Sequence, residues 1–182
     1  MEKYDKIDLE LMKNEMTEPE RLESLCDINF AYIANEFKHI PELYEVTRRK
    51  IEMARENNIE FHIFLPAKIE LKKLSKADLS HAIEILLDNA FEAAIECEQK
   101  FIEMTIAKSN GLYWATVLNS CKNAVDTGAV FTSGYTTKEN HSGRGLNNIL
   151  EIIRKYPKGR TSDTSLEVEY KDNIFSAVLC FK

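Results

Sequence analysis

Glycine is scarce in this chain: six residues in 182, where average usage near 7% would give about twelve or thirteen. Four of the six (Gly128, Gly134, Gly143 and Gly145) lie within one short stretch. A chain that avoids glycine elsewhere and gathers it in one place needs special backbone there. Long apolar runs are missing too, and no stretch approaches the roughly 20 apolar residues of a membrane span. The four cysteines, Cys26, Cys97, Cys121 and Cys180, make no Cys-x-x-Cys pair. That excludes the familiar zinc and redox spacings and favours reduced thiols in a cytosolic setting. The N-terminus, Met-Glu-Lys-Tyr-Asp-Lys-Ile-Asp, lacks the apolar segment of a signal peptide. A basic stripe is absent as well. Residues 1–100 carry 14 Lys+Arg against 22 Asp+Glu, and residues 101–182 carry 10 against 8. This balance argues against nucleic acid as the main partner, while the mildly basic C-terminal part suits an anionic small ligand.

What is present is a composition 44% apolar and 30% charged, too apolar for disorder and enough for one domain. Residues 1–16 are polar and acidic and read as frayed or helical. Thr17-Glu-Pro-Glu20 reads as a capping box with proline in the first turn. The helix it opens, about 18–38, places Leu22, Leu25, Cys26, Phe30, Ile33 and Phe37 on one face. Ile40-Pro41 breaks it, and a second helix of about 41–57 carries Leu43, Val46, Ile51 and Ala54 before Asn57-Asn58. Alternating Ile59, Phe61, Ile63 and Leu65 predict a strand. Ser75 with Asp78 caps a long helix of about 76–98. Strands near 101–107 and 112–119 are joined by Ser109-Asn110-Gly111, a hairpin signal. A loop of 120–143 leads to a helix near 145–156, and strands at 165–170 and 174–181 flank Asp172-Asn173. This order predicts an α+β fold: a two-layer α/β sandwich whose mostly antiparallel sheet is covered on one face by helices.

On the long helix, Leu79, Ala82, Ile83, Leu86, Ala90, Ala94 and Cys97 gather on one side, with Asn89 roughly 80° from the centre of that stripe. Glu84, Asp88, Glu92 and Glu96 recur at every fourth position, a repulsive spacing that water or a cation can tolerate. The chemical reading of Asn89 is an amide oxygen offered to Mg²⁺, which prefers oxygen ligands and keeps several waters. The plain alternative is a boundary asparagine satisfied by backbone. The loop of 120–143 exceeds the length at which structureless loops become uncommon. It contains Phe131-Thr-Ser-Gly-Tyr-Thr-Thr-Lys138 and then His141-Ser-Gly-Arg-Gly-Leu146, which enters a helix directly. Glycines before a helix let backbone N–H groups approach phosphate, and Thr136, Thr137, Lys138 and Arg144 add donors and positive charge. Neither a Walker loop nor a dinucleotide-binding fingerprint is present.

Together these pieces resemble the GHKL (Bergerat-fold) ATP-binding domain, most of all that of AgrC-type sensor histidine kinases, which detect peptide pheromones. Leu86-Leu-Asp-Asn-Ala-Phe-Glu-Ala93 resembles the family's N box, Phe131–Lys138 the segment before its second glycine box, and Gly143-Arg-Gly-Leu146 that box. The likeness spans about 41–182. It implies that Asn89 coordinates the Mg²⁺ bridging the ATP phosphates, with Asp88, Glu92 and Ala93 lining the pocket nearby. It implies that Asn119 stands where the family has its adenine-reading Asp; an asparagine oxygen can still accept from the adenine amino group. Residues 120–143 become the ATP lid, Thr136, Thr137 and Lys138 meet the nucleotide, and Gly143, Arg144, Gly145 and Leu146 cradle phosphates. Asn89, Lys138 and Arg144 then carry phosphoryl transfer. The chain departs from the family at the first glycine box, here Asn119-Ser-Cys-Lys-Asn123, a loss that AgrC-type kinases share. It departs also at Asn147, at Asn173-Ile174, and at Ile85, which stands where GHKL ATPases place a general-base Glu.

A histidine kinase also needs an acceptor imidazole. Phe37-Lys-His39 resembles the start of an acceptor motif, but Ile40-Pro-Glu follows in place of Asp-x-x-Asn. The expectation is therefore an acceptor outside this chain, with 1–40 the remnant of a dimerisation region whose face at Leu22, Leu25, Phe30 and Ile33 has lost a partner helix. The resemblance implies a cytoplasmic domain of an integral membrane receptor kinase, homodimeric when entire, that uses ATP and Mg²⁺ and passes phosphate through its own phosphotransfer helices to a response regulator. Two alternatives stand beside it: a degenerate nucleotide-binding or interaction module without kinase activity, and an anti-sigma-type serine kinase.

Overall fold

The computed structural model describes residues 30–65, 69–132, 145–156 and 164–182. In chain order the elements are α1 (Phe30–Glu36), α2 (Pro41–Asn57), β1 (Glu60–Phe64), α3 (Lys76–Ile95), β2 (Phe101–Ser109), β3 (Leu112–Ser120), α4 (Gly145–Arg154), β4 (Ser165–Lys171) and β5 (Ile174–Phe181). The strands form one sheet in the order β1-β2-β3-β5-β4. β1 runs parallel to β2, and the remaining neighbours are antiparallel. The fold is therefore α+β, with a mixed, mostly antiparallel sheet carrying its helices on one face.

Local chemistry explains where the elements stop. Pro41 sits in the first turn of α2, and Asn58 ends that helix in the left-handed conformation (φ 53°), which asparagine tolerates better than most residues. Ser75 caps α3, its side chain accepting from the Asp78 N–H. Both hairpins turn on residues with positive φ, Asn110 and Gly111 at 52° and 77°, Asp172 and Asn173 at 51° and 62°. Two left-handed central residues give the turn whose twist matches that of paired strands.

The alternation of each strand decides what faces the helices. Phe61 and Ile63 of β1, Ile102, Met104 and Ile106 of β2, Ala115 and Val117 of β3, and Ala177, Leu179 and Phe181 of β5 are buried. They share one core with Leu79, Ile83, Leu86 and Ala90 of α3 and with Ile149 and Ile152 of α4. Phe61 meets Phe91 edge-on, with ring centroids 5.8 Å apart, a favoured aromatic geometry.

The expected helix of 18–38 is described from Phe30 and ends at Glu36. Ile33 and Phe37 are fully buried in the common core, so the expectation that Ile33 lies on a face bereft of a partner is corrected. Leu22, Leu25 and Cys26 lie outside the described residues, as does the side chain of Phe30. No helix among the described residues is long and apolar enough to cross a membrane. Cys97, Cys121 and Cys180 are free thiols.

Candidate functional site

The site grows from the meeting of α3 and α4. Gly145 is the first residue of α4, and it lies directly on Asn89. A Cβ built on Gly145 would stand 3.1 Å from both Nδ2 and Oδ1 of Asn89 and 3.4 Å from Cγ2 of Ile85. A side chain at 145 would require Asn89 to give by a few tenths of an ångström, and glycine avoids that. The carboxamide of Asn89 thus stands beside the N-terminal end of α4, the end toward which a helix directs its backbone N–H groups and partial positive charge. Two residues singled out as separate motifs 56 positions apart are neighbours in space.

The far end of α4 is tied to the start of α3 by hydrogen bonds. The Tyr156 hydroxyl donates to Asp78 Oδ2 at 2.5 Å and accepts from the Ser75 N–H at 3.0 Å, while Lys155 Nζ donates to Asp78 Oδ1 at 2.8 Å. The Lys155 ammonium and then the Tyr156 hydroxyl hold the Asp78 carboxyl below the usual carboxylate range, with Ser75 helping and burial opposing. α4 is held against α3 at both ends, and its glycine terminus is set on Asn89.

Asn119 closes β3 and is 2% exposed. Its Nδ2 donates to the Ser120 carbonyl at 2.8 Å, and that bond fixes the amide so that Oδ1 is the remaining acceptor. The segment after it is ordered without glycine, since no residue from 119 to 123 has positive φ. The Cys121 N–H donates to the Asn173 carbonyl at 2.7 Å, tying this segment to the β4–β5 turn. Asp126 then organises a turn, accepting from the Gly128 N–H at 2.9 Å, and Val130 is buried. The first part of the expected lid, to residue 132, is thus folded against the body.

The acidic row of α3 is met by α2. Arg49 pairs with Glu84 at 2.9 Å, and Lys50 Nζ donates to Asp88 Oδ1. Two of the four carboxylates expected to face water or a cation are therefore paired with α2. Glu92 and Ala93 are half-buried one turn beyond Asn89, and Leu146 is half-buried beside Gly145. Thr136, Thr137, Lys138, Gly143 and Arg144 lie outside the described residues, as does His141. Ile85 packs under Gly145, leaving no carboxylate at that point. Asn147 has a buried Nδ2 without a hydrogen-bond partner among the described residues. His39 is exposed in the turn between α1 and α2, beyond the helix end. Among the described residues no group of three or more His, Cys, Asp or Glu is placed to hold a metal ion.

Sequence reasoning missed Lys50. A signal existed, because position 50 falls four residues from Val46 and from Ala54 on the buried side of α2.

Residues 74–181 match the model of a family described as a GHKL domain. Among solved structures, the chain is similar to the catalytic domain of the histidine kinase ThkA in its nucleotide-free form. That match has a TM-score of 0.62 at 20% identity and covers 78% of this chain and 90% of that one. It is also similar to the mycobacterial sensor histidine kinase MprB (TM-score 0.59, 17% identity, 75% and 93% covered). A third is full-length ShkA in complex with AMPPNP (TM-score 0.59, 14% identity, 78% and 29% covered). At these identities the likeness is one of fold. No curated protein matches the sequence.

Proposed function

The chain belongs to the GHKL domain family, and from that premise we propose that it is the ATP-binding kinase domain of a two-component sensor histidine kinase. In this reading it passes the γ-phosphoryl of ATP to a histidine outside the chain, for relay to a response regulator. The observation that carries it is the contact between the Asn89 carboxamide and Gly145 at the start of α4. That corner offers an oxygen ligand beside a cluster of backbone N–H groups, which fits a Mg²⁺-bound polyphosphate. Asn119 fits the other end of the nucleotide, because its free oxygen can accept from the adenine amino group while its nitrogen stays on Ser120.

Asn89 would hold the cation, and Gly143, Gly145, Leu146 and Arg144 with Thr136, Thr137 and Lys138 would receive the phosphates. Mg²⁺, when bound, supplies neutralisation of phosphate charge. The chain's own contribution is positioning: α4, fixed at both ends, presents its N–H groups to a set place, and preorganised dipoles cost nothing to reorient during transfer. An attacking imidazole is already nucleophilic when neutral, so the site needs no strong base. Ile85 accords with this, since an apolar side chain beneath Gly145 can activate neither water nor a serine hydroxyl. Association with dimerisation and phosphotransfer helices of the same kinase, attachment to a membrane receptor region, and peptide-pheromone sensing as in AgrC-type kinases belong to this proposal.

The test is binding of a non-hydrolysable ATP analogue to the full chain with and without Mg²⁺. Wild type is expected to bind in a Mg²⁺-dependent way, and Asn89→Ala to lose that dependence together with most of the affinity. Absence of binding at millimolar nucleotide would sink the proposal. Transfer of labelled phosphate to an added segment bearing an acceptor histidine then tests catalysis.

A further inference from the structure

Lys50 is 6% exposed, although lysine is among the residues least often buried. It lies among Leu43, Val46, Thr47, Ile51 and Ala54, the buried residues of α2. Its ammonium is 5.4 Å from the centroid of the Phe91 ring and 3.7 Å from the Met53 sulfur, and it donates to Asp88. The Asp88 side chain is 51% exposed, so the pair is lopsided, with a covered cation reaching out to a carboxylate at the surface. Packing does not call for such a residue. A buried ion pair contributes little to stability compared with apolar side chains of similar volume, and methionine would fill this position at lower desolvation cost.

The pair stands at a telling place. Asp88 directly precedes Asn89, in a row of carboxylates with Glu84, Glu92 and Glu96. Arg49 is already engaged with Glu84, and Lys50 is the next cation along α2. We propose that Lys50 is a positioning residue that compensates the charge of Asp88, allowing the acidic side of α3 to accept a polyanion at Asn89. This rests on the nucleotide-binding reading above. It makes Asp88 a counter-ion of α2 and removes it from the nucleotide's own contacts. Without Lys50, a negative charge one residue from the phosphates' metal ligand would stand uncompensated, weakening binding through space by about threefold to thirtyfold at ordinary salt. A neutral nucleoside would feel no such penalty.

That contrast defines the experiment. Affinities of the full chain for AMPPNP with Mg²⁺ and for adenosine are measured by calorimetry for wild type, Lys50→Met, Asp88→Asn and the double variant. Urea unfolding without nucleotide is measured alongside. Lys50→Met is expected to bind AMPPNP about tenfold more weakly and adenosine unchanged, with the AMPPNP loss shrinking as salt rises. The double variant is expected to return to within about twofold of wild type, because the charge that Lys50 offsets is gone. Asp88→Asn alone leaves the Lys50 charge without its counter-ion and is expected to bind AMPPNP more tightly than wild type, and it tests the charge compensation even if Lys50→Met fails to fold. Equal losses for AMPPNP and adenosine, a double variant as weak as Lys50→Met, an unchanged Lys50→Met, or AMPPNP binding by Asp88→Asn no tighter than wild type would each overturn the proposal. A wild-type chain that binds neither ligand overturns the nucleotide reading itself, so the two failures are told apart.

Discussion

At the scale of single residues, Gly145 separates stability from binding. Alanine at a helix start relieves the conformational freedom that glycine loses on folding, a gain of up to about 1 kcal/mol. Its Cβ, however, would stand 3.1 Å from both terminal atoms of Asn89 and turn that carboxamide out of place. Gly145→Ala is therefore expected to melt no lower than wild type while losing nucleotide affinity several-fold, read by thermal unfolding and calorimetry on the same samples. Asn119 gives the opposite pairing of chemistry and cost. Restoring the family's acid as Asn119→Asp would set a carboxylate against the Ser120 carbonyl in place of an N–H donor. The variant is expected to be destabilised by about 1–3 kcal/mol, measured by urea unfolding. Asn89 and Gly145 stand out in the sequence as an asparagine at the edge of an apolar stripe and a glycine at a helix start, whereas Asn119 is singled out only through the family resemblance. Lys50 does not stand out, because lysine reads as surface and only a contact from another helix reveals why it is covered.

Among the elements, α4 is the one whose placement the site depends on, and its tether can be tested by pH. The folded Asp78 carboxyl titrates below its unfolded range because Lys155 and Tyr156 bind its charged form. The unfolded chain therefore binds the proton first, and the stabilisation is present above the unfolded value of about 3.9 and lost as pH falls through the lower folded one. In urea titrations below about pH 4, wild type is expected to lose stability more steeply than Asp78→Asn, which starts lower at neutral pH. Tyr156→Phe removes the hydroxyl shared by Asp78 and the Ser75 N–H. It is expected to cost about 1 kcal/mol and to loosen α4, seen as faster amide exchange at Gly145–Arg154. The Ser75–Asp78 cap was readable as a local pattern. The tyrosine's part was not, because it joins residues 75 and 156, and no periodicity within one helix encodes a bond between two.

For the molecule as a whole, the two hairpins could be read because a turn is a local event, written in Asn110-Gly111 and Asp172-Asn173. The neighbours β1–β2 and β3–β5 could not, since those pairings depend on how distant segments dock. Ile33 and Phe37 likewise join the common core, a docking that the pattern of one helix does not reveal. Phe37→Ala is accordingly expected to destabilise the entire domain by about 3–5 kcal/mol, as a single unfolding transition followed by both near- and far-ultraviolet circular dichroism. The parallel edge bears on the order in which the chain assembles. Each hairpin closes a tight loop, whereas Glu60 can reach Phe101 only after the whole of α3 has been threaded between them. Contacts of that span are the slow ones in folding. The β2–β3 and β4–β5 ribbons are thus expected to zip first, with β1 the last rung added to the ladder and the first to open under native-state hydrogen exchange.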